Sequence, residues 1–90
     1  MSVPNFTYSR HAQEEMVRRG LPQALVDAVL SSPQQVVPEQ NGRVAYQSQV
    51  DFGGGTIFLL RAIVVDTVDP AVVVTVYRTS KISKYWRPTS

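Results

Sequence analysis

The order of apolar and polar positions divides the chain into a helical first half and a strand-rich second half. Ser9 is a suitable N-cap for a helix over Arg10 to Arg19, and Gly20 is a suitable stop for it. Pro22 fits the first turn of a second helix, since its missing N–H would have no partner there. An apolar stripe at helical spacing follows, formed by Leu25, Val26, Val29 and Leu30. The first half therefore predicts two helices.

The second half alternates runs rich in β-branched residues with turn signals, which is typical of strands. The candidate strands are Gln35 to Glu39, Arg43 to Val50, Ile57 to Asp66 and Ala71 to Tyr77. Pro38 places the first candidate at a sheet edge, and Asn41-Gly42 is a hairpin signal. We therefore expect a single α+β domain over residues 1–90. Its two N-terminal helices would pack on one face of a three- or four-stranded antiparallel sheet.

The candidate strand Ile57 to Asp66 is apolar on both sides, and only one side contains a charge, Arg61. An ionised arginine in a closed core is costly unless it is paired. We therefore expect Arg61 to lie on the sheet face away from the helices. The apolar neighbours of Arg61 then need a second cover, which would be the C-terminal segment, a second copy of the chain or a different protein.

Composition excludes several kinds of chemistry. The chain has 90 residues, no cysteine and one histidine, so disulfides and thiolate chemistry are excluded and a zinc or iron site lacks ligands. Gly53-Gly54-Gly55-Thr56 lacks the lysine of a phosphate-binding loop, and we expect no cofactor and no metal. The N-terminus shows no secretory signal, and no apolar run is long enough to span a bilayer. We therefore expect a cytoplasmic protein with no membrane partner.

The C-terminal segment is basic and aromatic. After Asp69 no acidic side chain follows, and a cation recurs at every third position from Arg78. The cations are Arg78, Lys81, Lys84 and Arg87, and the rings among them are Tyr77, Tyr85 and Trp86. Cations attract phosphate and rings stack on bases, so this composition suits a nucleic acid. The alternative is a solvated tail whose aromatic residues anchor it in the core.

His11 is the sole histidine and falls in the first turn of the first predicted helix. Glu15 and Arg18 follow four and seven residues later, on the same flank of that helix. An imidazole beside a carboxylate and a guanidinium can exchange protons near neutral pH. The alternative is a helix end whose polar residues are solvated or form local ion pairs.

Residues 11–21 resemble the signature H-A-x-x-R-M-x-x-R-G-[IL], which opens a family of small domains of unknown function, and Val74 to Lys81 resembles that family's last strand. The family is similar to RelE/ParE-type and BrnT-type toxins and to other metal-independent ribonucleases. The resemblance implies a toxin-like RNA endonuclease, or a descendant of one, whose RNA is free or on the ribosome. A small antitoxin protein would neutralise it. Glu15 replaces the signature's first arginine; Arg18 could substitute for that arginine, or Glu15 could orient His11.

Metal-free RNA cleavage needs a base for the 2′-hydroxyl, a proton donor, and cations around the phosphate. The catalytic candidates are His11, Arg61, Tyr77 and Arg78, and the RNA-binding candidates are Arg18, Lys81, Lys84, Tyr85 and Trp86. They can form one site only if the first helix borders the sheet face that contains Arg61. One alternative is a non-catalytic module whose basic aromatic C-terminal segment binds nucleic acid or an acidic protein. Another is a homo-oligomer that pairs through the apolar sheet face.

Overall fold

The computed structural model describes residues 5–88, which form a mixed α+β fold around one five-stranded sheet. The elements in chain order are β1 (Phe6–Tyr8), α1 (Arg10–Arg18), α2 (Gln23–Ser31), β2 (Gln35–Pro38), β3 (Val44–Asp51), β4 (Ile57–Val65), β5 (Ala71–Thr79) and α3 (Ile82–Tyr85). A 3₁₀ turn at Gln40–Gly42 joins β2 to β3. The sheet order is β1-β5-β4-β3-β2, so β2 is at an edge, as Pro38 predicts.

The sheet differs in detail from the three or four antiparallel strands that the sequence predicts. β1 is an additional strand, and it pairs parallel to β5, with Phe6 opposite Ala71 and Tyr8 opposite Val73. Its three residues are too few to display an alternating pattern. A short third helix, α3, also forms within the basic segment. The expected α+β class is confirmed, but the sheet is mixed and has five strands.

Helix α1 begins and ends as its sequence predicts. The Ser9 hydroxyl accepts a hydrogen bond from the Ala12 backbone N–H at 3.0 Å and donates to the Val74 carbonyl at 3.2 Å. At the other end Gly20 has a φ of +64°, and the Leu21 N–H donates to the Met16 carbonyl at 2.8 Å. This left-handed glycine closes the helix with a Schellman motif. The cap therefore also ties the start of α1 to β5.

The two faces of the sheet bury different residues. On one face the sheet packs under α1 and α2, and this helix-side core contains Ala12, Met16, Leu21, Val26, Val29, Leu30, Leu60, Ala62, Val64, Val73 and Val76. The other face, here called the Arg61 face, buries a smaller apolar group formed by Val37, Ala45 and Ile63, with Val74 and Tyr77 against it. Within residues 5–88 no helix is both long and apolar enough to cross a membrane.

Arg61 lies on the face away from the helices, as expected. In the register of the sheet it stands between Gln47 on β3 and Tyr77 on β5. Its neighbours in β4, Leu60 and Ala62, belong to the helix-side core, because successive side chains of a strand point to opposite faces. The assignment of sheet faces from the position of this one charge is therefore confirmed.

Candidate functional site

Arg61 is at the centre of a buried polar cluster and is itself only 2% exposed. Its Nε donates to the Gln47 Oε1 at 2.8 Å, and its Nη1 donates to the Tyr77 hydroxyl at 2.6 Å. Its Nη2 forms an ion pair with the Glu39 Oε2 at 2.7 Å. All three guanidinium nitrogens therefore have partners, which offsets much of the cost of burying the charge.

The charge of Arg61 is retained in this environment. Burial acts to lower the pKa of Arg61, but hydrogen bonds to Glu39 and Tyr77 outweigh it and raise that pKa above its ordinary value. The ring of Tyr85 covers the guanidinium, with its centroid 4.2 Å from the Arg61 Cζ, a distance at which a cation and a ring attract each other. We refer to Glu39, Gln47, Arg61, Tyr77 and Tyr85 as the Arg61 cluster.

The C-terminal segment supplies the second cover that the Arg61 face needs. The Gln47 Nε2 donates to the Tyr85 carbonyl at 3.2 Å. The side chain of Gln35 makes two bonds to the main chain of Arg87, one from its Nε2 to the carbonyl at 2.6 Å and one to its Oε1 from the N–H at 3.1 Å. Two glutamines, Gln35 on the edge strand β2 and Gln47 on the neighbouring strand β3, therefore hold the segment against the sheet. Of the three covers that the sequence leaves open, the structure shows the C-terminal segment lying over Arg61 and Gln47.

The two tyrosines of the cluster have pKa values that move in opposite directions. Burial raises the pKa of Tyr77, although its hydrogen bond to Arg61 acts against that rise. Hydrogen bonding to Lys84, and then to Tyr77, lowers the pKa of the Tyr85 hydroxyl. The rings are 6.4 Å apart in an edge-to-face arrangement.

The cations of the C-terminal segment point to solvent while its rings are partly buried. Lys81, Lys84 and Arg87 are exposed, whereas Tyr85 and Trp86 are half-buried. The Lys84 Nζ also lies 5.2 Å from the centroid of the Tyr85 ring. The segment thus has the aromatic anchors expected of a solvated tail, and it also has the exposed cations beside rings that would suit a nucleic acid.

His11 lies on the other side of the sheet. It is exposed on α1, and α1 packs on the helix-side core through Ala12 and Met16. Within residues 5–88 no hydrogen bond or ion pair connects its imidazole to another side chain. The expectation that His11 shares a cleft with Arg61 is therefore wrong, because the sheet lies between them.

Glu15 pairs with Arg18 of its own helix and with Arg19 at the helix C-cap, and it does not orient His11. Its carboxylate accepts from the Arg18 Nη2 at 2.6 Å and from the Arg19 Nε at 2.8 Å. Hydrogen bonds from Arg18 and then Arg19 lower the pKa of Glu15 to about 2. Arg18 is therefore partly neutralised at a position on the helix side, away from the Arg61 cluster.

Arg78 also faces the helix side. In the sheet it stands opposite Leu60, whereas its neighbour Tyr77 stands opposite Arg61. Its Cζ lies 4.5 Å from the centroid of the Phe52 ring and 4.6 Å from that of Phe58. Because consecutive residues of a strand point to opposite faces, Tyr77 and Arg78 cannot act on the same side of the sheet.

The sequence-predicted site residues therefore form two groups. Arg61, Tyr77 and Tyr85 meet on the Arg61 face with Lys84 beside them, whereas His11, Arg18 and Arg78 belong to the helix side. Sequence reasoning missed Gln47 and Glu39. The register of β3 with β4 across the Gly53-Gly54-Gly55 loop could have placed Gln47 beside Arg61, but no local signal identifies Glu39 as the counter-ion of Arg61.

A metal site has no basis in the part of the chain that the structure describes. Residues 5–88 contain no group of three or more His, Cys, Asp or Glu side chains that could hold an ion. The chemistry that this region offers comes from the Arg61 cluster and from the exposed lysines and arginines around it.

A family model described as "Domain of unknown function (DUF4258)" matches residues 8–78. Neither a curated protein nor a solved structure matches the chain. The match includes α1, α2, the strands β2, β3 and β4 and most of the Arg61 cluster, and it ends at Arg78, before Lys81, Lys84 and Tyr85. Because the match extends over well more than half of the sequence, the chain belongs to the DUF4258 family.

Proposed function

We propose that this protein is an RNA-binding module whose contact surface is the basic aromatic C-terminal segment. The observation that carries the proposal is the combination of exposed cations with half-buried rings on one segment, which is fixed to the sheet through Gln35 and Gln47. Exposed cations bind phosphates, and an anchored ring offers a base a stacking partner already held in position. An acidic protein would use the charges but not the rings, so single-stranded RNA fits better.

A binding role also agrees with how the residues are distributed. Arg61 is buried and its donors are engaged, so it organises the face and does not itself reach a ligand in this arrangement. His11 is on the other side of the sheet from the proposed surface. A non-catalytic module requires neither residue to touch RNA.

The proposal is tested by measuring how RNA affinity depends on salt. Fluorescence anisotropy with an unstructured RNA oligonucleotide compares the parent protein with the Lys84→Gln/Arg87→Gln variant. Two lost phosphate contacts should reduce the slope of log affinity against log salt by about 1.4, at about 0.7 per contact with a single strand. The matched control is Arg10→Gln/Arg43→Gln, which removes two exposed cations outside this segment. Equal loss in both variants, or no RNA binding at low salt, would refute the proposal.

Metal-independent RNA cleavage is a second candidate function, and the position of Tyr85 beside the Arg61 guanidinium and the Lys84 ammonium favours it. As the phenolate, Tyr85 would take the proton of the 2′-hydroxyl, whose oxygen then forms a bond to phosphorus while the bond to the 5′-oxygen breaks and water protonates the leaving oxygen. Arg61 and Lys84 would stabilise the charge on the phosphate. The segment would have to shift to open Arg61 to the substrate. This candidate, with a small antitoxin as partner, corresponds to the toxin-like function that the sequence resemblance implies.

Cleavage is tested by incubating the purified protein with total RNA in the presence of EDTA. If the second candidate is right, the RNA is cut, Tyr85→Phe abolishes the cutting, and His11→Ala cuts like the parent. Growth arrest on expression should likewise be relieved by Tyr85→Phe and not by His11→Ala. RNA that stays intact at high protein concentration would refute the second candidate, and only the binding function would remain.

A further inference from the structure

Arg78 is an exposed cation that is held between two aromatic rings. Its Cζ lies 4.5 Å and 4.6 Å from the centroids of Phe52 and Phe58, and the two rings meet at 87° with their centroids 5.6 Å apart. Within residues 5–88 no carboxylate pairs with this guanidinium, and no hydrogen bond from it is formed. Cation–π attraction restrains the side chain without using its N–H donors.

This arrangement contrasts with that of Arg61, the buried arginine on the neighbouring strand β4. Arg61 has three polar partners and is 2% exposed, whereas Arg78 has two rings and is exposed. A guanidinium that is held in place and keeps its donors free is suited to a phosphate, which it can bind with two parallel hydrogen bonds. The half-buried rings beside it can each present an edge or a face to a base.

We propose that Arg78, Phe52 and Phe58 form a second contact point for the same strand of RNA, taking one backbone phosphate and an adjacent base. The inference rests on the proposed function and adds the path of the strand. Arg78 is three residues before Lys81, so at most about 11 Å of main chain separates their Cα atoms. The RNA would therefore pass around the end of β5, from the C-terminal segment to the helix side of the sheet.

The side-chain N–H groups of Arg78 provide a direct test by NMR. The rings should displace the Arg78 Nε–H signal, and the Arg78→Lys variant assigns it by its disappearance. Titration with hexauridylate should move this signal at concentrations that also move the amides of residues 82–87. Inorganic phosphate at the same concentration should move it much less. An Arg78 signal that stays fixed while residues 82–87 respond, or one that responds equally to inorganic phosphate, would overturn the inference.

Binding measurements distinguish the second contact point from the first. Arg78→Gln should reduce the salt slope by about 0.7, and Arg78→Lys should retain most of that slope because it keeps the charge. Phe58→Leu should weaken binding about tenfold through lost stacking, with its thermal unfolding measured alongside. If Lys84→Gln/Arg87→Gln weakens binding and Arg78→Gln does not, the second contact point is refuted and the proposed function stands. If Lys84→Gln/Arg87→Gln has no effect, the proposed function fails and the inference fails with it.

Discussion

The two faces of the sheet are stabilised in different ways. The helix side buries a continuous apolar core of aliphatic side chains under α1 and α2. The Arg61 face has a small apolar group beside a charged cluster, and a short C-terminal segment covers that cluster. Burial of apolar area dominates the first face, whereas directional hydrogen bonds and one ion pair organise the second.

This contrast explains why the proposed function is placed on the Arg61 side. The residues of an apolar core need only suitable shape and hydrophobicity, so folding alone accounts for the residues on the helix side. The Arg61 cluster adds little net stability, because burying a charge is costly. Apolar side chains of the same size often stabilise a fold equally well. The cluster is better explained as a platform that fixes the position of the segment carrying Lys84 and Arg87.

The largest effect on stability should come from the helix side. Leu60 is fully buried in the core, so Leu60→Ala should lower the free energy of unfolding by about 3–4 kcal/mol through lost transfer energy and a residual cavity. Val17→Ala is the matched control, since Val17 is 84% exposed on α1 and its truncation should change stability by less than about 0.5 kcal/mol. Urea unfolding measures both. A Leu60→Ala variant as stable as the control would refute this description of the core.

The next largest effect should come from breaking the buried ion pair. Glu39→Gln should cost about 3 kcal/mol, near the low end for such pairs because Gln47 and Tyr77 still accept from Arg61. The double variant Glu39→Gln/Arg61→Met should be less destabilised than Glu39→Gln alone, since it leaves no uncompensated charge. Urea unfolding of the two single variants and the double variant completes the cycle. Strictly additive effects would mean that the two side chains are not coupled.

Losing the N-cap of α1 should have an intermediate effect. Ser9→Ala removes the acceptor for the Ala12 N–H and the donor to the Val74 carbonyl, so it should cost about 1 kcal/mol. Ser9→Asp keeps the cap acceptor and loses only the bond to Val74, so its cost should be smaller. Thermal unfolding of the two variants ranks them, and equal stability of Ser9→Ala and the parent protein would contradict the cap.

The ring that covers Arg61 should contribute slightly less. Tyr85→Leu keeps an apolar side chain over the guanidinium but removes the aromatic face, and it should cost about 0.5–1 kcal/mol. Tyr85→Phe retains the ring and serves as the control, with a stability close to that of the parent protein. Equal losses in Tyr85→Leu and Tyr85→Phe would show that the hydroxyl, and not the ring, is what matters.

The smallest effect concerns pH and the helix side. The folded pKa of Glu15, about 2, lies below its ordinary value of 4.5, so its ion pairs contribute stability above that ordinary value. This contribution should be lost as the pH falls from 4.5 towards 2. Glu15→Gln should therefore show a flatter decrease of stability than the parent protein over this range. Parallel curves for the two proteins would contradict the pairing with Arg18 and Arg19.

The pattern of the sequence determined much of the fold because its signals are local. Ser9 and Gly20 mark the ends of α1, and the single charge in β4 identified the outer face of the sheet. β1 could not be predicted, since a three-residue parallel strand has no periodicity and pairs in the sheet with β5 alone. Residue propensities do not indicate such a pairing, because it depends on a strand that is distant in the sequence.

The site was harder to predict because it depends on which way each side chain points. Their residue types suggested that His11, Arg61, Tyr77 and Arg78 form one site. In the structure Tyr77 and Arg78 point to opposite faces of the sheet, and His11 lies on α1 on the helix side. The role of Tyr85 in covering Arg61 needs the path of the chain beyond β5. Residue type indicated a polyanion, and only the structure separated the two groups of candidates.

The most direct test of the central claim is an amide chemical-shift map of the protein during titration with single-stranded RNA. The account predicts that the largest changes fall in residues 82–87 and in Gln35 and Gln47, which hold that segment. The amides of α1, including His11, should remain nearly unchanged. Changes concentrated in α1, with residues 82–87 unaffected, would contradict the placement of the RNA-binding surface.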